Sequence, residues 1–195
     1  MEKQTDLRIV RTKQMLKDAF FGLMETDGFG KITVENLTKK AFISRNTFYL
    51  HYTDKYDLLD HLENEVLDEI REIMRELPGE IINSQSGLAM EAKPIIMKFF
   101  QYIRDNQRFF NLIVAKNGDS AFLGKLGDMI RGMLHSSFPQ AMLRIPERYM
   151  VAIIVGVQTG IIREWISGGM NETPDELAAM LTMVIRNVPK NVLAR

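Results

Sequence analysis

The chain has 195 residues, 46% hydrophobic and 26% charged, with 25 Lys and Arg balanced by 25 Asp and Glu, 3 His and no Cys. It is long enough to bury a real core as one domain or two small ones. The missing cysteines exclude a disulfide framework and thiolate metal sites.

No apolar run approaches the ~18–20 residues that cross a bilayer. The longest, "MVAIIVGVQTGII" at 150–162, is interrupted by Gln158, Thr159 and two glycines. The N-terminal "MEKQTDLRIVRTKQ" is charged and lacks a signal-peptide core, so the expected location is cytoplasmic, with no membrane partner. Charge is unevenly spread. Residues 1–55 carry ten Lys/Arg and seven Asp/Glu, or +3, and residues 56–195 carry fifteen and eighteen, or −3. The positive end is where a nucleic-acid partner would bind.

Helical periodicity dominates from the start. A first helix is predicted from about Asp6 to Thr26, with Leu16, Ala19, Phe20 and Leu23 on one face and Gly28 as its stop. Thr33 sits at an N-cap position before "VENLTKKA", and Ser44 at another before "RNTFYLHY", a predicted two-turn helix. Thr53 or Asp54 opens a long helix to about Glu76, with an apolar ladder of Leu58 and Leu59, Leu62, Val66, Ile70, Met74 and Leu77. The Pro, Gly, Ser and Asn of 78–94 predict a loop, with room for the start of another helix within it. Helices are then expected at about 94–105, 106–116, 119–136 and 147–167. A last one near 174–187 is opened by Pro174. The expectation is an all-α chain of about nine helices.

Two short capped helices joined by about three residues suit a helix-turn-helix. Val34, Leu37, Ala41, Ile43 and Phe48 would form its small core, leaving Arg45, Asn46, Thr47 and Tyr49 pointing outward. In such modules the start of the second helix enters the major groove, where Arg can bond guanine and Asn adenine bidentately. Periodicity and caps alone leave open the alternative of a surface helix with polar residues on its wet side.

The pattern Arg11-Thr12, Gly28-Phe29, Thr33-Val34, Leu37-Thr38, Ala41 and Ile43 through Tyr52, followed by Asp54-Lys55 and Leu58-Leu59, resembles the DNA-binding domain of the TetR family of bacterial transcriptional regulators. The resemblance covers about fifty residues, and Thr47-Phe48-Tyr49 with His51-Tyr52 is its most specific part. Phe42 departs from it where the family often has Gly, and Thr38 where Ala is commoner. By this resemblance Arg45 and Asn46 would read bases, with Tyr49 near a base or a phosphate. Thr33, Thr47, His51 and Lys55 would grip phosphates, and Ser44 would complete the DNA-binding set. The implied organisation is a three-helix DNA-binding domain at 1–53 and an effector-binding and dimerisation domain at 54–195.

In the second half, Ala152, Gly156 and Gly160 recur at four-residue spacing, a row that lets helix backbones approach closely. The resemblance makes this a homodimer interface, with Val151, Val155, Gln158, Thr159, Ile162, Leu177, Met180, Leu181 and Val184 as further members. Packing against a neighbouring helix of the same chain is the other reading. Likewise Met97, Phe99, Phe100, Tyr102, Phe109, Phe110, Met129, Met133 and Trp165 are candidates to line a pocket for an unknown small-molecule effector, where the plainer reading is core packing. The 147–181 segment is similar to the C-terminal part of a Gram-positive subgroup that includes regulators of dihydroxyacetone kinase operons.

Asp57 and His61 stand at i, i+4, but no third metal ligand is evident, so a solvated pair is expected there and no metal or other cofactor. No phosphate loop, GxSxG elbow or HExxH occurs. The expectation is a non-enzymatic regulator, a repressor released from a pseudo-palindromic operator by an inducer. The alternatives are a helical ligand-binding protein or enzyme with a helix-turn-helix that does not bind DNA, and an activator needing a partner protein.

Overall fold

The computed structural model describes residues 7–76, 88–116, 120–134 and 146–192. Among them are nine α-helices and no strand. The chain divides into two compact units, one ending at Val66 and the other beginning at Leu67.

The first unit holds α1 (Leu7–Thr26), a single 3-10 turn (Phe29–Lys31), α2 (Val34–Lys40), α3 (Arg45–Tyr49) and the first half of α4 (Lys55–Arg75). Its core is made by Leu16 and Phe20 of α1, Leu37 of α2, Phe48 of α3 and Leu58 and Leu62 of α4. Local chemistry sets each helix start. The Thr33 hydroxyl accepts from the Asn36 N–H at 3.2 Å, and the Asn36 side chain accepts from the Thr33 N–H at 2.7 Å, a reciprocal capping box. Ser44 Oγ accepts from the Thr47 N–H at 3.0 Å. Asp54, rather than Thr53, caps α4: its Oδ1 accepts from the N–H groups of Tyr56 and Asp57 at 2.8 and 2.9 Å.

The turn between α2 and α3 is a Schellman motif. The Ile43 N–H bonds Thr38 O at 3.1 Å and the Phe42 N–H bonds Lys39 O at 3.4 Å, which puts Phe42 in the left-handed region at φ 55°. That position favours Gly, so this chain carries a bulky residue where the backbone disfavours one. Thr38 is buried, and its hydroxyl is satisfied by the Val34 carbonyl at 2.8 Å.

The second unit holds the rest of α4, α5 (Leu88–Asp105), α6 (Gln107–Phe110), a π-helical stretch (Asn111–Lys116), α7 (Ser120–Leu134), α8 (Glu147–Ser167) and α9 (Pro174–Val192). Helix α5 packs along α9, and α7 along α8. At Gly127 an added Cβ would come within 3.0 Å of the Val155 side chain, so glycine is what lets α7 and α8 approach. Phe109, Phe110 and Phe122 stack edge-on at centroid distances of 5.2–5.8 Å. Trp165 meets Phe100 at 5.6 Å and donates its indole N–H to Glu172 O at 3.1 Å. Thr173 and Glu176 form a second capping box ahead of α9, with Pro174 in its first turn.

Three expectations change. Helix α3 has five residues rather than two full turns, because the chain turns at Leu50 and His51. The predicted loop 78–94 lies outside the described residues as far as 87, and from Leu88 the chain is already helical, with Pro94 inside α5. Burial of Ala92, Ile95 and Ile96 on either side of the proline outweighs the hydrogen bond it removes. The helix expected over 106–116 passes from α-helical to π-helical winding at Asn111, where Leu112, Ile113 and Val114 are buried in succession.

Helix α8 is long and apolar enough to cross a bilayer by length and composition, a test that the core helix of a globular protein also passes. Met150, Val151, Val155, Ile162, Trp165 and Ile166 of this helix are buried within the chain.

Candidate nucleic-acid interface

Helix α3 presents its polar side chains as a consequence of one buried ring. Phe48 is fully enclosed, with Tyr52 tilted against it at 5.8 Å and Tyr49 edge-on at 5.5 Å. With the 3.6-residue period anchored there, Asn46 and Tyr49 turn away from the buried side, whereas Arg45, three residues before Phe48, sits at its edge; all three are exposed. Tyr49 is 57% exposed, with its ring held edge-on against Phe48.

The Thr47 hydroxyl lies 2.8 Å from Ser44 Oγ, tying two candidate residues to each other at the start of the helix. Thr33 is exposed at the start of α2. His51 is half-buried, its ring 6.3 Å from that of Tyr52. The Tyr52 phenol is pushed up to about 12 by burial first, then by Glu65 and Asp57. It is a packing residue held in its neutral form.

Lys55 has an internal role. Its Nζ donates to the carbonyls of Phe29 and Gly30 at 3.0 and 3.2 Å, and lies 4.7 Å from the centre of the Phe29 ring and 5.4 Å from that of Tyr56. The lysine therefore pins the 3-10 turn that leads into Thr33 to the start of α4. Behind it, Asp57 Oδ2 accepts from the Thr53 N–H at 2.7 Å, the main cause of a carboxyl held below its ordinary range. His61 Nδ1 lies 3.1 Å from Asp57 Oδ1.

Two residues of this face went unread in the sequence. Glu35, in the first turn of α2, reaches Arg45 at 2.8 Å. Leu50, just past α3, is 80% exposed. A cross-helix pair has no signature in sequence spacing, whereas an apolar residue in an otherwise polar run was there to be seen.

In the second unit, Phe100, Phe110 and Trp165 are buried in the packed aromatic core. Met97 and Tyr102 line an open groove of about 420 Å³ together with Lys98, Gln101, Thr173 and Asp175. Met129 and Met133 are half-buried on α7. On α8 and α9, Val151, Val155, Gln158, Ile162, Leu177 and Leu181 are buried within the chain, and Thr159 and Val184 are intermediate. Ala152, Gly156, Gly160 and Met180 lie on the outside.

Comparison with known proteins agrees with this architecture. The family described as bacterial regulatory proteins, tetR family, matches residues 18–62. A TetR-type family described as transcriptional regulator C-terminal region matches residues 90–187, half of the chain. The uncharacterised HTH-type regulator YxbF of Bacillus subtilis (strain 168) is 44% identical over 59 residues, which are 30% of this chain and 16% of that protein. An HTH-type regulator of Haemophilus influenzae is 23% identical over 116 residues, 57% of this chain and 53% of its own length. The chain thus spans about half the length of one of these curated relatives and about a sixth of the other.

Among solved structures, a TetR-family regulator from Syntrophomonas wolfei superposes with a TM-score of 0.70 at 14% identity, over 93% of this chain and 96% of that one. The dihydroxyacetone kinase operon activator DhaS does so with a TM-score of 0.61 at 17% identity, over 95% and 99%. At such identities the likeness is one of fold.

Proposed function

The chain belongs to the TetR family of bacterial regulatory proteins, and on that premise we propose that it is a DNA-binding transcriptional regulator whose reading head is the α2–α3 pair. The observation that carries this reading is the side-chain arrangement of α3. One ring, Phe48, is buried, while Arg45, Asn46 and Tyr49 stand exposed together on a helix too short to need them for packing. Arg and Asn are the side chains that pair bidentately with guanine and adenine in the major groove. Thr33, Ser44, Thr47 and His51 then act on the phosphate backbone, which positions the head without reading sequence. Lys55 serves the same contact indirectly, by fixing the turn before Thr33, and with any donor that the carbonyls leave free.

One five-residue helix reads few base pairs, so two heads related by a two-fold axis are needed for a specific site. We assign the dimer contact to the outward faces of α8 and α9. Ala152, Ile153, Gly156 and Gly160 of α8 and Met180 and Met183 of α9 are apolar and exposed, and the small residues of α8 admit close helix approach. The buried Val151, Val155, Leu177 and Leu181 support those faces from within the chain. The regulator is read as a repressor, with the second unit as sensor of a small molecule. Its place of action is wherever the bacterial chromosome lies, the cytoplasm.

Selection from random duplex DNA at moderate salt tests the reading. Enrichment of a pseudo-palindrome supports it, and affinity for that site should fall steeply with added salt as phosphate contacts release counterions. A folded dimer that enriches nothing, with and without cell extract as a source of effector, overturns it.

A further inference from the structure

Five helices of the second unit converge on one closed cavity. Ile70 and Met74 of α4, Ile96 and Phe99 of α5, Ile130 of α7 and Leu181 of α9 line it with hydrocarbon and a thioether, and Gln158 of α8 adds the one polar group. Gln158 is 7% exposed, and its Oε1 has no hydrogen-bond partner. A buried amide oxygen left unpaired is costly, whereas a Met or Leu at that position would fill the space at no such cost. The residue is therefore poorly explained as packing. It is well explained as an acceptor awaiting a donor.

We propose that Gln158 is the polar anchor of a small-molecule site at the centre of this unit, and that its ligand is an uncharged, mainly apolar molecule with one hydroxyl or N–H donor. The proposal rests on the reading that the second unit senses an effector, and names its chemistry. No charged side chain lines the cavity, so a carboxylate or ammonium would enter without a counter-charge and meet a prohibitive desolvation cost. An alkane would leave the amide unpaired. A hydroxyl can satisfy it.

At about 10 Å³ the cavity as it stands holds no more than a water. A larger ligand would have to open it by displacing side chains, and Met74, unbranched, is the most adaptable of them. Met74 and Ile70 belong to α4, the helix whose first residue, Lys55, pins the turn before Thr33.

Of the Met and aromatic residues that the sequence offered for a pocket, Phe99 lines this one and the others do not. They stand out as large and mostly apolar, whereas the informative residue is a polar break in the apolar face of α8.

The test uses the full chain with primary alcohols from hexanol to decanol, each paired with an ether of the same size, which accepts but cannot donate. Calorimetry should show some alcohol in the series binding about tenfold tighter than its ether, the worth of one net hydrogen bond. In Gln158→Leu that preference should vanish, while the melting temperature stays equal or rises because the orphan amide is gone. Equal binding of alcohol and ether to the native chain overturns the proposal. So does a preserved preference in Gln158→Leu, or no binding by any alcohol up to its solubility. Gln158→Met serves if the leucine variant misfolds. Failure of the DNA reading would show separately, as absence of a selected duplex, and leaves the calorimetric comparison intact.

Discussion

The carboxylate of Glu35 and the guanidinium of Arg45 meet across the turn between α2 and α3, Oε2 to Nη2 at 2.8 Å. Both side chains are more than half exposed, so the pair adds little to stability, typically ~0–1 kcal/mol. Its consequence is geometric. A guanidinium carries five donors in a fixed fork, and holding one edge on Glu35 limits the directions in which the others can face.

Glu35→Gln is therefore expected to have two opposite effects. Discrimination at the base pair read by Arg45 should fall by about three- to tenfold, of the order of one weakened contact. Affinity for random duplex should rise slightly, because one negative charge leaves a surface that meets phosphates. Repeating the site selection with the variant measures both. A uniform gain with unchanged base preference would show that Glu35 acts by charge alone.

Arg45→Ala and Asn46→Ala should each cost about 1–3 kcal/mol on the selected site and little on random DNA. Competition titrations against single-base-pair variants of the site read the difference. Equal losses on both kinds of DNA would make these residues phosphate contacts.

Lys55→Met keeps most of the unbranched side chain and removes its charge. It breaks two hydrogen bonds to carbonyls and the contact over Phe29, so the first unit should lose about 1–3 kcal/mol in urea unfolding. DNA affinity should fall alike on all sequences, through the loosened turn before Thr33. A variant as stable as the native chain would contradict the clamp.

Phe42→Gly should leave stability unchanged or raise it by up to about 1 kcal/mol. The side chain is 89% exposed and gives up no packing, and glycine removes the left-handed strain at φ 55° while adding unfolded-state entropy. Thermal melts check this. A marked loss would mean that the ring makes a contact that its exposure conceals.

Acid should act through two capping carboxyls. The Thr53 N–H holds Asp57 below its ordinary range, and the Thr173 N–H does the same for Glu176. A depressed folded-state value means that the stabilisation is present above the unfolded-state values, about 4, and is lost as pH falls through the folded ones. Melting temperature should therefore drop below about pH 4. Asp57→Asn and Glu176→Gln should each be less stable near neutrality and show a shallower acid slope. An unchanged slope in both variants would separate the acid response from the caps.

Sequence by itself determined the local structure. Thr33, Ser44 and the Thr173–Pro174 pair start helices because a side-chain oxygen needs only the next turn's N–H groups to act on, and such short-range chemistry is written in adjacent residues. The ladder from Leu58 to Met74 announced α4 for the same reason of period. Asn46 and Tyr49 were legible because Phe48 fixes the phase of α3 and turns them outward, while the exposure of Arg45, three residues from the buried ring, rests on how the neighbouring helices pack.

What only the tertiary structure decided depends on residues far apart in the chain. Helix α5 continues through Pro94 because burial on both sides outweighs a breaker that looks decisive locally. Lys55 reaches back to Phe29 and Gly30, and Glu35 crosses to Arg45, contacts made by folding rather than spacing. Along α8 the residues named together for one interface divide into buried Val151, Val155 and Gln158 and outward Ala152, Gly156 and Gly160. A four-residue rhythm marks a helical face, but which neighbour covers that face depends on how the other helices pack.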